Sequence, residues 1–182
     1  MSVEKNKILY GCNFNKSNAD YLQYIHFGSC KVPCFDCPER DFRIYENGEE
    51  VKLPDHFGCD CHYNDIKTKL AGNISNKGIC SPDVYLKPYG KLPNYYITKE
   101  ETCRLGRQPG KNLAYFAPGK MIGGNIFANR KRILPIKEGI TWYECDVDYV
   151  TGKRNILRLY YSNDGLMFYS EFHDERQVMF IK

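Results

Sequence analysis

Thr141-Trp-Tyr-Glu-Cys-Asp-Val-Asp-Tyr149 alternates apolar and polar residues. This period of two is typical of a β-strand with one buried face. Because successive side chains of a strand point to opposite faces, four of them are expected on the same face: Trp142, Glu144, Asp146 and Asp148. Cys145 lies between them in the sequence and is expected to point into the core.

Two arginines, Arg154 and Arg158, follow this stretch and flank an apolar run four residues apart. We expect them on the neighbouring strand, with their side chains on one side of the strand pair. One sheet face then places carboxylates opposite two guanidinium groups. This arrangement suits a site that binds phosphate.

Outward from this strand, turn signals at Thr151-Gly152 and Asn163-Asp-Gly165 separate further β-patterned segments. Strands are predicted at about 121–127, 140–148, 156–162, 166–172 and 176–181. Upstream, Thr98-Lys-Glu-Glu101 has the capping-box pattern of a helix that runs to Gly106. Residues 82–87 form another short helical pattern, which Pro88 is expected to stop. Helices followed by an antiparallel meander indicate an α+β fold.

The composition limits the classes of protein to which the chain can belong. It has 182 residues and is 42% hydrophobic, enough for one large or two small packed domains. Residues 1–80 carry ten Lys or Arg against eleven Asp or Glu, whereas residues 81–182 carry sixteen against eleven. The C-terminal part is therefore mildly basic, which is compatible with an anionic partner. No apolar run reaches membrane-spanning length and the N-terminus is polar, so we expect a protein made in the cytoplasm, or one exported or delivered from there.

Nine cysteines are many, and most precede residue 81. Cys34-x-x-Cys37 is followed by His56-x-x-Cys59-x-Cys61 after a predicted hairpin whose turn is Asn47-Gly48. Zinc takes four such ligands in a tetrahedron, so this spacing predicts a zinc site with five candidates for four places. No further acid is spaced to activate a water molecule, so the zinc is expected to be structural. Because so small a unit buries little apolar area, the metal would supply much of its stability. Free thiols or a redox pair are the alternative.

Residues 1–78 are accordingly predicted to form an N-terminal module that zinc stabilises. Residues 65–80 are predicted to be a polar connector, with the domain boundary near residue 78. A weakly helical pattern spans about 8–28. The closure Pro54-Asp-His56-Phe-Gly-Cys59-Asp-Cys61 resembles the Cys/His motif of phage head-morphogenesis (minor capsid) proteins and of toxins fused to them, although it lacks a proline after the histidine. This resemblance implies a phage or toxin-delivery partner.

Residues 79–182 contain three stretches, in order, that resemble the barnase-like family of bacterial ribonucleases. They are Lys91-Leu-Pro-Asn-Tyr-Tyr-Ile-Thr-Lys99, Ala117-Pro-Gly-Lys-Met-Ile-Gly-Gly-Asn-Ile-Phe-Ala-Asn-Arg130, and the segment from Thr141 to His173 that includes Tyr149-Val-Thr-Gly-Lys-Arg154. The resemblance implies the microbial ribonuclease fold, in which small N-terminal helices pack on an antiparallel sheet. It also implies RNA as the substrate and an acidic inhibitor of the barstar kind as a partner, with no membrane.

The family's catalytic positions map onto five residues of this chain. The resemblance makes Glu144 the general base that takes the proton of the ribose 2′-hydroxyl, and His173 the general acid that protonates the departing 5′-oxygen. The scissile phosphate would be held by three cations: Lys99, Arg154 and Arg158. Cleavage would leave a 2′,3′-cyclic phosphate and would need no metal cofactor, because the ribose supplies its own nucleophile.

The same resemblance places base recognition in the loop that contains Phe127, Asn129 and Arg130. Lys131 stands where the family has a guanine-reading glutamate, so the base preference stays open. Asp174 takes the place of a tyrosine that stacks on the base or contacts phosphate. Other departures are Asn125 in place of a carboxylate, and Gly165 and Arg107 in place of two tryptophans.

Two alternatives remain open from the sequence. The pattern Ala19-Asp-Tyr-Leu-Gln23 echoes the family's first helix as well as residues 82–87 do, which would make residues 30–80 an insertion. The protein can also be read as a non-catalytic RNA-binding or phage-structural protein that keeps the nuclease scaffold. A toxin or toxin-like endoribonuclease is the favoured interpretation.

Overall fold

The structure, a computed structural model, describes residues 21–25, 36–41, 43–54, 56–172 and 178–182. It is a mixed α+β protein whose described part forms two compact units. The first unit ends at Thr68 and also takes in Leu134–Glu138, and the second comprises Lys69–Ile133 and Gly139–Lys182. None of the helices in the described ranges is long and apolar enough to cross a membrane.

The first unit contains a three-stranded antiparallel sheet in the order β2-β1-β3 and one short helix. Its elements are β1 (Tyr21–Ile25), α1 (Asp36–Arg40), β2 (Ile44–Glu46) and β3 (His62–Ile66). Its buried cluster is built from three thiols with one aliphatic and one aromatic side chain: Cys37, Cys59, Cys61, Leu53 and Tyr63. An apolar core of this size contributes little hydrophobic stabilisation compared with that of a full-sized domain.

Three sequence predictions for residues 8–80 are corrected. The helical pattern over 8–28 is wrong at residues 21–25, which form β1, and residues 8–20 and 26–28 lie outside the described residues. Residues 21–23 belong to this strand and therefore do not form the first helix of the ribonuclease family. The connector predicted over 65–80 contains the end of β3, the short strand β4 (Thr68–Lys69) and the 3₁₀ turn Gly78–Cys80.

The predicted hairpin is correct in its turn and wrong in its strand pairing. At Asn47-Gly48 the chain reverses, with Glu49 N donating to Glu46 O at 3.0 Å and Gly48 at a φ of 102°. However, β2 pairs with β1, and residues 50–53 form no strand. The Glu50 carboxylate folds back to accept a hydrogen bond from Gly48 N, so the chain leaves the extended path there.

The second unit is built on a seven-stranded sheet in the order β4-β10-β9-β8-β7-β6-β5. Its further elements are α2 (Pro82–Tyr89), β5 (Tyr96–Ile97), α3 (Lys99–Arg104), a 3₁₀ turn (Leu113–Tyr115), β6 (Met121–Ile126), β7 (Trp142–Asp146), β8 (Arg158–Ser162), β9 (Met167–Ser170) and β10 (Met179–Ile181). The strands from β6 to β10 form an antiparallel meander, and β5 runs parallel to β6. Each of the five predicted strands contains the observed one.

The helices follow their end signals. The capping box is confirmed, since the Thr98 hydroxyl accepts from Glu101 N at 3.1 Å while the Glu101 carboxylate accepts from Thr98 N at 2.7 Å. The prediction that Pro88 stops α2 is wrong, because Pro88 lies inside the last turn. Gly90 ends the helix instead, in the left-handed conformation at a φ of 63°, with its N–H donating to Leu86 O at 2.8 Å.

One face of the meander packs in a core that includes Cys145, Leu159 and Tyr169, as the alternation in β7 predicts for Cys145. Asp148 does not share the face of Glu144, which corrects the expectation. The strand ends at Asp146, and Asp148 adopts a φ of 55°. Its carboxylate accepts from Ser75 Oγ at 2.6 Å and from Asn76 N at 3.0 Å, so it anchors the segment before α2. Cys80 and Cys103, unlike Cys145, are exposed thiols.

Candidate active site

Glu144 and Lys99 form the first part of the site. Lys99 Nζ lies 2.5 Å from Glu144 Oε1, with the carboxylate side chain 17% exposed and the lysine side chain 45% exposed. Glu144 lies in the middle of β7, opposite Asn125 of β6 and Tyr160 of β8. Its carboxylate is therefore held by a rigid sheet yet still reaches solvent.

Asn125 connects the sheet to the helix that carries Lys99. Its Oδ1 accepts from Lys99 N at 3.0 Å, and its Nδ2 donates to the Glu100 carboxylate at 2.6 Å. Both contacts lie at the start of α3, where the capping box already defines the entry of the chain. Lys99 is thus placed over Glu144 by backbone contacts of its own helix.

Asp146 and two arginines form the second part, on the same face and two residues along β7. Asp146 is completely buried and receives Arg154 through two hydrogen bonds, at 2.8 Å from Nε and 2.5 Å from the terminal nitrogen. Arg158 lies opposite Asp146 on β8 and approaches the same carboxylate at 3.2 Å. Arg154 precedes β8, which corrects the expectation that both arginines lie on that strand. One buried charge therefore positions two guanidinium groups beside Glu144.

The three cations and the two carboxylates of β7 that they contact carry a net positive charge. Burial by itself lowers the pKa of Arg154, but the hydrogen bonds and charge of Asp146 outweigh it and hold that pKa above its usual value. Burial also raises the pKa of the Cys145 thiol on the opposite face, so Cys145 stays a neutral core residue. A partly exposed carboxylate beside fixed cations can accept a proton close to a bound phosphate.

The loop after β6 carries the residues predicted for base recognition. The Phe127 ring packs on Tyr160 at 4.5 Å between centroids, which ties the start of the loop to the strand beside Glu144. Asn129 takes the left-handed conformation at a φ of 44°, and its carbonyl accepts from Arg132 N at 2.9 Å. Arg130 and Lys131 are exposed at the turn that results.

The structure thus brings four of the five predicted catalytic residues together on one sheet face: Lys99, Glu144, Arg154 and Arg158. His173 and Asp174 lie outside the described residues. Tyr160 was not expected at the site, although its position two residues after Arg158 on the same strand face was a signal for it.

The candidate metal ligands converge in the first unit. Cys37 Sγ lies 3.4 Å from His56 Nε2 and 4.0 Å from Cys59 Sγ, and one ligand atom from each residue lies within 4.8 Å of the others. His56 Nδ1 lies 3.0 Å from Phe57 O, a partner that favours the tautomer with Nε2 available for a metal. These three residues can hold a metal ion. Cys61 is buried in the same cluster, and Cys34 lies outside the described residues.

Comparisons with known proteins give one consistent result. No protein-family model matches the chain. A protein named ribonuclease from Heyndrickxia coagulans is 49% identical over 90 residues, which cover 49% of this chain and 83% of that relative. Ribonucleases from Bacillus intermedius and Bacillus pumilus are also 49% identical over 90 residues, and the match spans 56% of each of them.

Proposed function

We propose that this protein is an endoribonuclease acting on single-stranded RNA. The chain belongs to the same family of bacterial ribonucleases as the relatives described above. The observation that carries the proposal is the geometry around Glu144. The partly exposed Glu144 carboxylate contacts Lys99. Two residues further along β7, the buried Asp146 holds two arginines.

In the proposed reaction, Glu144 takes the proton of the ribose 2′-hydroxyl as its oxygen attacks phosphorus. The bond from phosphorus to the 5′-oxygen breaks, and His173 gives a proton to that leaving oxygen. The products are a 2′,3′-cyclic phosphate and a free 5′-hydroxyl, and water can then open the ring by the reverse proton transfers. Positioned acids and bases contribute about 10²–10⁴-fold each to such a step.

The three cations stabilise the negative charge that accumulates on the phosphate oxygens. Arg154 and Arg158 are preorganised by Asp146, so they need no rearrangement when the substrate binds. Lys99 exchanges its contact with Glu144 for a phosphate oxygen. Because the attacking hydroxyl belongs to the ribose, the reaction requires no metal ion, and DNA is not a substrate.

We also propose the microbial ribonuclease fold of the barnase-like family for the second unit. Its support is the meander from β6 to β10 with helices before it. Base recognition is assigned to the loop with Phe127, Asn129 and Arg130. A toxin role, with an acidic inhibitor of the barstar kind covering the cations, agrees with the positive charge of the site.

The experiment combines EDTA-treated protein with single-stranded RNA and a DNA of the same sequence. Glu144→Gln and His173→Ala are expected to lower RNA cleavage by at least about 10²-fold each. Glu138→Gln, which alters an exposed carboxylate outside the site, is the matched control and should leave cleavage unchanged. The proposed mechanism would be refuted if the RNA products carried no cyclic phosphate ends, or if Glu144→Gln kept full activity. Toxicity on expression that the Glu144→Gln variant abolishes would support the toxin role.

For the first unit we propose a structural zinc ion held by Cys37, His56 and Cys59, with Cys61 or Cys34 as the fourth ligand. The support is the convergence of soft ligands in a unit with a small apolar core. Elemental analysis of the purified chain should find one zinc, which Cys59→Ser loses and Cys103→Ser keeps, because Cys103 is an exposed thiol of the second unit. A chain that folds with no zinc would contradict the proposal.

A further inference from the structure

A pocket of about 840 Å³ lies on the sheet face opposite Glu144 and has no part in the reaction described above. Three strands contribute side chains to it: Tyr143 of β7, Tyr161 of β8 and Met167 of β9. The loop 90–94 and the turn 163–165 complete the lining. We refer to it as the tyrosine pocket. Its volume lies in the range of sites that bind small molecules, about 300–1,000 Å³.

Two glycines keep the tyrosine pocket open. Gly90 ends α2 at a φ of 63°, and Gly165 lies in the turn after β8 at a φ of 94°. Both line the pocket, and a Cβ atom added to either would meet no other atom within 4 Å. Because the chain turns here in the conformation that favours glycine, no side chain extends into the pocket from either position.

The pocket presents a flat aromatic surface. Tyr143 and Tyr161 lie opposite each other on β7 and β8, with ring centroids 5.3 Å apart and ring planes at 22°. Their hydroxyls form no hydrogen bond with any residue in the described ranges, whereas Tyr96 donates to Asp146 O at 2.6 Å. Burial raises the pKa of Tyr161, so its hydroxyl stays protonated at neutral pH and can donate to a ligand. A planar ring can stack on such a tyrosine pair.

Two cations border the same pocket: Lys87, in the last turn of α2, and Lys91. Both are exposed, and neither forms an ion pair within the part of the chain that the structure describes. The two acids among the described lining residues are already engaged, since Glu101 caps α3 and Asp164 accepts from Ser162 Oγ. The two ammonium groups are therefore available to an acidic group on a ligand.

We propose that the tyrosine pocket is a second ligand site, which binds a small planar aromatic molecule with one acidic group such as a carboxylate. The ring of the ligand stacks on Tyr143 and Tyr161, and its acidic group accepts hydrogen bonds from the lysines at the border. Since the pocket and Glu144 lie on opposite faces of β7, the proposal goes beyond the ribonuclease function and its test requires no RNA cleavage.

Isothermal titration calorimetry with three probes that share one ring system tests the proposal. Indole-3-acetate carries the acidic group, indole is neutral and tryptamine is a cation. Indole-3-acetate should bind with a Kd on the order of 0.1–1 mM. Indole should bind about five- to tenfold more weakly, because it lacks the charge that the two lysines recognise, and tryptamine more weakly still.

The contribution of the cations is measured with Lys87→Ala/Lys91→Ala. This variant should bind indole-3-acetate only as tightly as indole, and its affinity for indole should not change. The matched control is Lys111→Ala/Lys153→Ala, which removes the same charge from exposed lysines that line a cleft beside Lys99. The control should bind all three probes as the parent protein does.

The contribution of the aromatic surface is measured with Tyr161→Leu, which keeps an apolar side chain but loses the flat ring and the hydroxyl. It should weaken the binding of indole and of indole-3-acetate alike, by about tenfold. The two variants therefore have different signatures, since the lysine variant affects only the acidic probe.

A methyl signal reports where the probe binds. Met167 lines the pocket, whereas Met121 is buried in a separate cluster with Leu113 and Tyr149. In protein labelled with ¹³C at the methionine methyl groups, indole-3-acetate should shift the Met167 signal through the ring current and leave the Met121 signal in place. Met167→Leu identifies the signal.

The proposal would be overturned if indole-3-acetate did not bind, if the three probes bound equally well, or if the Met167 signal did not move. Loss of indole-3-acetate binding in Lys111→Ala/Lys153→Ala, but not in Lys87→Ala/Lys91→Ala, would also overturn it, because the probe would then bind beside the proposed catalytic residues.

Discussion

Asp146→Asn tests whether one buried carboxylate holds the two arginines of the site in place. The substitution keeps the volume of the side chain but removes the only charge that the structure shows between Arg154 and Arg158, with contacts at 2.5 to 3.2 Å. Breaking a buried ion pair at one partner costs about 3–5 kcal/mol. Asp146 is completely buried, but the arginines are 26% and 16% exposed, so water screens part of the uncompensated charge. We therefore expect a loss near the lower end, about 3 kcal/mol.

Urea unfolding followed by tryptophan fluorescence is the assay for this loss. Trp142 is the only tryptophan, lies in β7 and is buried against Phe168, so its emission reports on the sheet that contains Asp146. Asp65→Asn, the same change at an exposed carboxylate of β3, is the control and should shift stability by less than about 0.5 kcal/mol.

A double-mutant cycle with Arg154→Met separates the pair from other effects. Removing one guanidinium should recover part of the stability that Asp146→Asn removes, because less positive charge is left without a partner. A loss below about 1 kcal/mol in Asp146→Asn, or strictly additive changes in the cycle, would refute the reasoning. RNA cleavage should fall in the same variant, since both arginines lose their anchor.

Three further predictions concern the elements around the site. Gly123→Ala should destabilise the second unit by about 1–3 kcal/mol in the same urea assay, because its Cβ would lie 2.5 Å from Tyr96 Cδ1 and 2.6 Å from Cys145 Cβ; an unchanged transition would contradict this packing. Thr98→Ala should cost about 1 kcal/mol by removing the cap of α3. The backbone N–H of Thr98 donates to the Glu101 carboxylate and holds the pKa of Glu101 below its ordinary value of 4.5. The ionised carboxylate therefore stabilises the folded state above that pH, and this contribution is lost as the pH falls below it. Unfolding curves of Glu101→Gln and the parent should therefore converge in acid, and a constant difference would contradict the assignment.

Much of the second unit was predictable because its signals are local. The alternation in 141–149 predicted β7 and the core position of Cys145, and the capping box predicted the start of α3. The turn signals separated the strands of the meander, whose neighbours in the sheet are also neighbours in the chain. The types and spacing of the charged residues then indicated a phosphate site on the face of β7 that carries Glu144.

The first unit was predicted less well, since its pairings are not local. The signal at Asn47-Gly48 marked where the chain reverses but not which strand β2 would join, and β2 joins β1, more than twenty residues away. The Cys/His spacing predicted a metal site, while the choice of Cys37, His56 and Cys59 as a converging set depended on how the turns bring the thiols together. Spacing limits which residues can meet, and packing selects among them.

The strand periods, the start of α3 and the types of the charged residues could be read from the sequence, because each depends on residues within a few positions of one another. The tertiary structure alone decided that Asp148 turns away to anchor Ser75, and that Arg107, Lys111 and Lys153 meet beside Lys99. Those contacts join segments far apart in the chain. Their geometry follows from strand register and packing, which no local pattern encodes.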